Sequence, residues 1–335
     1  MAKTILGVDI GHDQLKLALV KGNRVLKTAS AAMPENLLRQ GRIVSRESLS
    51  ELIRITMKQH GIRANRAAFV LPNETVFVKN VDMPLMSIEQ LEYNLPFEFN
   101  DYITGELRDY VFDYAVVSEP GETAEPEDGS TPTMELMAVG TLRAVLEDAQ
   151  TTLRKAGLKL VLSAPAISAY ISLLRAQRES LSQVAEEYGI LDLGFSSIRM
   201  YMFRRDRHVA TRVLEIGLSS LDNVLADAYG VDVHLAHTYL MSNFENCQER
   251  EECMNAYSNI AVELMRALNF YRFSNPDSAL SDLWLCGGGA VIRPLADTIS
   301  EMLGIDMHPA EELVPGGGRV NECNSFTQAI GIAMG

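Results

Sequence analysis

The chain has 335 residues, a hydrophobic share of 47% and a mean hydropathy of +0.01, values of a globular protein with about two domains. Its formal charge of −14 opposes phosphate backbones and anionic lipid, which argues against a nucleic-acid partner and against direct membrane insertion. No stretch approaches the roughly 20 apolar residues of a membrane span. The amino terminus enters a strand pattern with no room for a signal peptide, and Cys247, Cys253, Cys286 and Cys323 show no CxxC spacing or disulfide framework, as expected in a reducing compartment.

Thr4–Ile10 reads as an apolar strand, followed by a turn at Gly11, an alternating strand Gln14–Val20, the turn Lys21-Gly22-Asn23 and a third strand, Val25–Ser30. Ser48–His60 has helical spacing and a stop at Gly61. Ala67–Leu71 and Val76–Val81 read as strands. Ser87 caps a helix from Ile88, with Gln90 placed for a capping box. Strands follow at Tyr110–Ser118 and Met134–Gly140. Between them Ser118–Thr133 carries three prolines, two glycines and five carboxylates, the composition of a mobile loop. An amphipathic helix at Leu142–Ala156 ends at Gly157, and another runs from Ala164 to about Glu187. A second strand–turn–strand–turn–strand unit begins at Ile190, followed by helices near Leu218–Tyr229 and Cys253–Phe273. Leu283–Cys286 is then a strand, Gly287–Gly289 a glycine turn and Ile292–Leu303 a helix. The basic turn Arg204, Arg205, Arg207 reads as a solvated hairpin tip.

A gapless repeat organises this series. At an offset of 183 residues Asp9-Ile10-Gly11 falls on Asp192-Leu193-Gly194, Lys16 on Arg199, Leu17 on Met200 and Asn23 on Asp206. An aspartate at the end of a buried strand can hold a hydrated Mg²⁺ beside a phosphate chain. The glycine after it lets successive backbone N–H groups form an anion nest. Two such hairpins facing each other would grip a polyphosphate from both sides, with Lys16 adding positive charge. Gly287, Gly288 and Gly289 would let the backbone lie against a base or ribose. One Asp-x-Gly alone only ends a strand; two in register, plus the glycine turn, indicate a nucleotide cleft.

Together these elements resemble the actin, hexokinase and heat-shock-chaperone ATPase superfamily. Within it the chain is similar to the PilM family of type IV pilus assembly proteins, related to FtsA. Its most specific stretch is Val81-Asp82-Met83-Pro84, then Ile88–Leu95, then the Asp113-Tyr114 strand. The closing Thr327–Ala333 is similar to the superfamily's second connecting helix. The chain stops at Gly335, without the tail and membrane helix of FtsA-type proteins.

The resemblance implies an α/β fold of two ribonuclease H-like lobes with a small α/β insert in lobe one. Residues 1–84 and 163–187 would form the base of lobe one, 85–162 the insert, 188–216 and 282–335 the base of lobe two, and 217–281 its upper helical part. It implies ATP with Mg held by Asp9, Gly11, Lys16, Asp192, Gly194, Ser196, Gly217 and Gly287–Gly289, the metal lying between Asp9 and Asp192, with hydrolysis slow or absent. It also implies a cytoplasmic protein recruited to the inner membrane, where a groove including Leu91 and Leu95 takes the amino-terminal peptide of a PilN-like partner. Other pilus platform and motor proteins, and twitching motility, follow from the same resemblance.

Several residues depart from the family pattern. The first turn reads Gly11-His12-Asp13-Gln14 in place of serines, Gly217 is followed by Leu218, and His237 and Leu240 replace the Glu and Lys that face the ribose and base. These departures point toward weakened nucleotide binding, so a nucleotide-free scaffold is one alternative. An FtsA-like filament is another, and a small-molecule kinase with Asp82 or Asp113 as base a third. His234 and His237 have metal-ligand spacing but no evident third ligand.

Overall fold

The computed structural model describes residues 3–118, 132–177, 186–316 and 323–335. The expected loop around 118–133, and the end of the helix expected to reach Glu187, lie largely outside them.

The first apolar run becomes β1 (Thr4–Ile10), which pairs antiparallel with β2 (Gln14–Lys21); β3 (Arg24–Ala32) continues the meander. A short hairpin, β4 (Leu38–Arg39) and β5 (Arg42–Ile43), leads to α1 (Arg46–Gln59). The Ser45 side chain accepts from the Ser48 amide at 3.2 Å, a cap worth about 1 kcal/mol. Leu49, Ile53 and Met57, at i, i+4 and i+8, bury one face of α1. Next comes β6 (Arg66–Leu71), parallel to β1.

From there the chain leaves the base. β7 (Val76–Pro84), α2 (Ile88–Asn94), β8 (Tyr110–Ser118) and β9 (Thr133–Leu142) form a separate unit, with a three-stranded sheet in the order β7–β9–β8. Ser87 and Gln90 make the expected capping box at the start of α2. The core of this unit is Val81, Met83, Leu91, Leu95, Phe99, Met134, Leu136 and Ala138. α3 (Arg143–Lys155) returns to the base, where Val145, Ala149 and Leu153 pack in one cluster with Leu49 and Ile53 of α1. β10 (Lys159–Pro165) then joins β6, and α4 (Ala166–Ala176) follows. The insert is therefore β7 to β9, about ten residues earlier at its start and twenty at its end than the 85–162 expected. An amphipathic helix discloses its buried face by periodicity, not the sheet it will pack against.

The second lobe repeats the first. β11 (Glu187–Leu193), β12 (Ile198–Arg204) and β13 (Arg207–Leu214) form its meander. The helices α5 (Leu218–Tyr229), α6 (Val233–Ser242) and α7 (Glu251–Ser274) lie above it. β14 (Asp282–Cys286), α8 (Arg293–Leu303) and β15 (Asp306–Pro309) complete the sheet. The strand orders are β3–β2–β1–β6–β10 and β13–β12–β11–β14–β15, the same topology twice. Even the register repeats: Asp9 lies opposite Lys16, and Asp192 opposite Arg199.

The terminal helix α9 (Thr327–Met334) was expected with the base of lobe two. It instead packs against β1, β2 and α4 of lobe one. A Cβ on Gly7 would overlap the Ala329 carbonyl oxygen, and one on Gly331 the Ala169 carbonyl oxygen. Gly7→Ala and Gly331→Ala are each expected to lower unfolding free energy by about 1–3 kcal/mol, the usual cost of overpacking. Urea titration measures this, and an unchanged midpoint would show that the helix does not lie so close to the sheet.

Candidate functional site

Each strand-end aspartate sits where its hairpin register puts it, and the two hairpins face one cleft. Asp9, Gly11, Lys16, Asp192, Gly194, Ser196, Gly287 and Gly288 all line it. Within each turn the glycine lies tight against the residue three places on, a Cβ falling 3.1 Å from the Gln14 carbonyl oxygen at Gly11 and 2.6 Å from that of Ser197 at Gly194.

The electrostatics follow from burial. Asp9 has its pKa pushed up to about 6, chiefly by desolvation; Lys16 opposes the shift and the charge on Asp192 adds to it. Burial also raises Asp192, against Lys16, Arg199 and hydrogen bonds from Gln328 and Tyr170. Gln328 Nε2 donates to Asp192 Oδ2 at 2.8 Å and to the Tyr170 hydroxyl at 3.0 Å. Two carboxylates that burial makes costly to ionise, facing one space, form a donor set that a divalent cation would satisfy. The phosphate-and-metal end of the cleft thus fits Mg and a polyphosphate.

The opposite end fits less well. Gly287 has φ of +86°, and a Cβ there would fall 2.5 Å from Asp192 Oδ1; one on Gly289 would fall 2.8 Å from the Leu193 side chain. These two glycines are required by packing against the end of β11; of the three, Gly287 and Gly288 line the cleft. Gly217 and Gly289 are not part of the cleft lining; a Cβ on Gly217 would strike the Phe195 carbonyl. Leu240 is buried in the lobe-two core. His237 faces the cleft with its Nδ1 3.0 Å from Asp222 Oδ2 and its Nε2 3.7 Å from Asp13 Oδ2, and its ring meets Phe195 at 5.7 Å.

His237 belongs to a set of contacts that join the lobes along the cleft. His12 Nδ1 lies 3.3 Å from Ser196 Oγ, His234 Nε2 2.7 Å from Glu35 Oε1, and Arg199 Nη2 3.8 Å from Glu74 Oε1. Ser196 is thus engaged with the opposite lobe, and His234 and His237 have separate carboxylate partners. Among the described residues no group of three or more metal-ligating side chains is found.

Leu91 and Leu95, expected in a partner groove, are 3% and 2% exposed and belong to the insert's core. Their spacing marks a buried face, the usual meaning of apolar residues on a helix. The basic turn sits at a hairpin tip, and Arg207 additionally reaches the insert, donating to the Val117 carbonyl at 3.0 Å. Sequence reasoning missed Glu74, Asp222 and Gln328. Asp222 gives a weak signal, an acid beside Leu221 on the apolar side of α5; Glu74 and Gln328 give none.

A repeated sheet of this topology, with a cleft between paired Asp-Gly hairpins, defines the two-lobed actin-like class. The chain belongs to the family described as type IV pilus assembly protein PilM, which matches residues 7–314. Its structure is similar to that of a PilM–PilN type IV pilus biogenesis complex, at 23% identity over all of this chain and 98% of that one, with a TM-score of 0.85. It is also similar to the ethanolamine utilization protein EutJ from Carboxydothermus hydrogenoformans, at 14% identity over 100% and 90% of the two chains and a TM-score of 0.63. MreB5 of Spiroplasma citri bound to AMPPNP matches at 10% identity, over 99% and 95%, with a TM-score of 0.53. No curated protein matches the chain by sequence. Among the described residues no helix is long and apolar enough to cross a membrane.

The His237 contact carries a pH signature. The hydrogen bond that its ring N–H donates to Asp222 first, then the charges of Asp222 and Asp13, raise its pKa above 6.5 against the effect of burial. A raised folded-state value means stabilisation that is complete below the unfolded pKa of about 6.5 and lost as pH rises through the folded value. His237→Gln is therefore expected to cost about 1 kcal/mol at mildly acidic pH, after allowance for solvent screening, and less at alkaline pH. Urea midpoints across the pH range check this; a gap that widens with pH contradicts it.

Proposed function

We propose that this chain is a nucleotide-binding adaptor of the type IV pilus platform, held at the cytoplasmic face of the inner membrane by the amino-terminal peptide of a PilN-like membrane protein. Family membership supports the pilus role. The observation that carries the nucleotide part is the placing of Asp9 and Asp192 on opposed hairpins of one cleft. Asp9 and Asp192 would hold Mg, while Lys16 and the turns at Gly11 and Gly194 would take the phosphates. ATP with Mg would supply binding energy for holding the lobes together.

The cleft leaves about 120 Å³ of free space, below the roughly 300–1,000 Å³ of ordinary ligand pockets. A nucleotide would therefore enter with the histidine contacts parted, and His237 would have to yield room for the ribose. This favours weak binding and slow or absent turnover. Calorimetry with Mg-ATP tests the assignment: Asp9→Ala is expected to weaken binding by at least about tenfold, or 1.4 kcal/mol. Binding that the substitution leaves untouched overturns it.

For the peptide, the groove between β7 and β13 replaces the one sought at Leu91 and Leu95. Both are edge strands among the described residues, and they face each other across about 680 Å³. Val76, Val78 and Asn80, alternate residues of β7, line one wall and residues 208–213 the other, with Pro165 and Ile167 between. Asn80 Nδ2 donates to the His208 carbonyl at 3.0 Å and bridges the two walls. Unpaired strand edges favour an extended peptide held by main-chain hydrogen bonds. Fluorescence anisotropy with the labelled amino-terminal peptide of the PilN-like partner is expected to show at least about tenfold weaker binding to Val78→Arg, with Mg-ATP binding unchanged. Equal affinity would place the peptide elsewhere.

A further inference from the structure

None of residues 85–102 lines the β7–β13 groove. α2 and the turns after it turn Leu91, Leu95 and Phe99 inward, yet leave Ile88 68%, Tyr93 73% and Phe97 48% exposed. Leu85 and Tyr102 are exposed as well. Five of the chain's large exposed apolar side chains thus fall within residues 85–102, a density beyond the scattered single residues of an ordinary surface. Tyr93 and Phe97 stand four residues apart, with their rings edge-to-face at 5.8 Å, and make a ridge of the kind that packs between helices.

The charge around this ridge has one sign. Residues 85–109 contain six carboxylates and a single basic residue, Arg108. Arg108 pairs with Glu106 at 2.7 Å, and Glu98 pairs with Lys79 at 3.0 Å. Among the described residues Glu89, Glu92 and Asp101 make no ion pair and are exposed. An apolar ridge flanked by unpaired carboxylates selects its occupant. Anionic lipid and nucleic acid are repelled. A second copy of this chain brings a further −14. The chain's own segment 119–131 adds five carboxylates and no basic residue.

We infer that the exposed ridge of Tyr93 and Phe97, with Glu89, Glu92 and Asp101 on the same stretch of chain, docks a basic amphipathic helix of a partner protein. The rings enter the apolar stripe of that helix, and its lysines or arginines meet the carboxylates. Complementary charge sets approach and register, while the aromatic pair supplies most of the affinity. The site is independent of the cleft and of the β7–β13 groove, so the insert can hold two partners at once.

The test uses the full chain and two labelled 18-residue helical peptides, one of leucine and lysine, the other of leucine and glutamate. The leucine–lysine peptide is expected to bind, and the Tyr93→Ser/Phe97→Ser variant to bind it at least about tenfold more weakly with an unchanged thermal midpoint, since both rings are exposed. Glu89→Lys/Glu92→Lys should shift preference toward the leucine–glutamate peptide. Val78→Arg should leave binding as it is, which separates failure here from failure of the groove assignment. The inference is overturned if the basic peptide does not bind, or binds wild type and the serine variant equally. It is also overturned if sedimentation reveals dimers that the serine variant loses, or if that variant abolishes attachment to phosphatidylglycerol vesicles.

Discussion

The packing of α9 against lobe one fixes where everything else lies. Gly7 and Gly331 bring main chain against main chain at both faces of this helix, a separation no side chain can tune. From that position Gln328 reaches across to Asp192 of the second lobe. The apolar cluster around the helix draws on both lobes, with Ala18, Ala169 and Ile330 joined to Ile190, Tyr201 and Trp284. A shared close-packed core of this kind transmits strain rather than absorbing it. The bottom of the cleft is consequently the stiff part of the molecule.

The cleft mouth is built from different material. His12 with Ser196 and His234 with Glu35 are exposed polar contacts, each worth about 0–1 kcal/mol. Parting them costs far less than separating the core beneath. The asymmetry makes opening at the mouth the soft motion, hinged where α9 runs. The carboxylates at the bottom work in the same direction, because desolvation raises the cost of ionising both and the charge on Asp192 adds to that cost at Asp9.

The insert has a small apolar core of its own. Its apolar cluster draws on β7, α2, β9 and the turns after α2; it meets lobe two through Asn80 and Arg207, and Met137, Val78 and Val117 join the apolar cluster that both lobes share. Its edge strand β7 and the outer side of α2 lie outside the lining of the cleft.

The internal repeat was legible in the residues because it is a local property: the spacing Asp-x-Gly, strand, turn, strand recurs at 183 residues, and backbone pairing within each meander follows from it. Helices such as α1 and α2 were legible for the same reason, through caps and periodicity. The sheet that α3 would join, the lobe that α9 would pack on, and the inward facing of Leu91 and Leu95 were not, since apolar residues at helical spacing state that a face is buried without stating against what. The glycine turn was only partly legible: Gly287 and Gly288 line the cleft and Gly289 does not, because backbone freedom is needed equally for a ligand and for the protein's own strand. Sequence determined the duplicated hairpins and their chemistry. Tertiary structure alone decided that they confront one another and that His237 faces the cleft beside Asp13, because those are contacts between residues far apart in the chain.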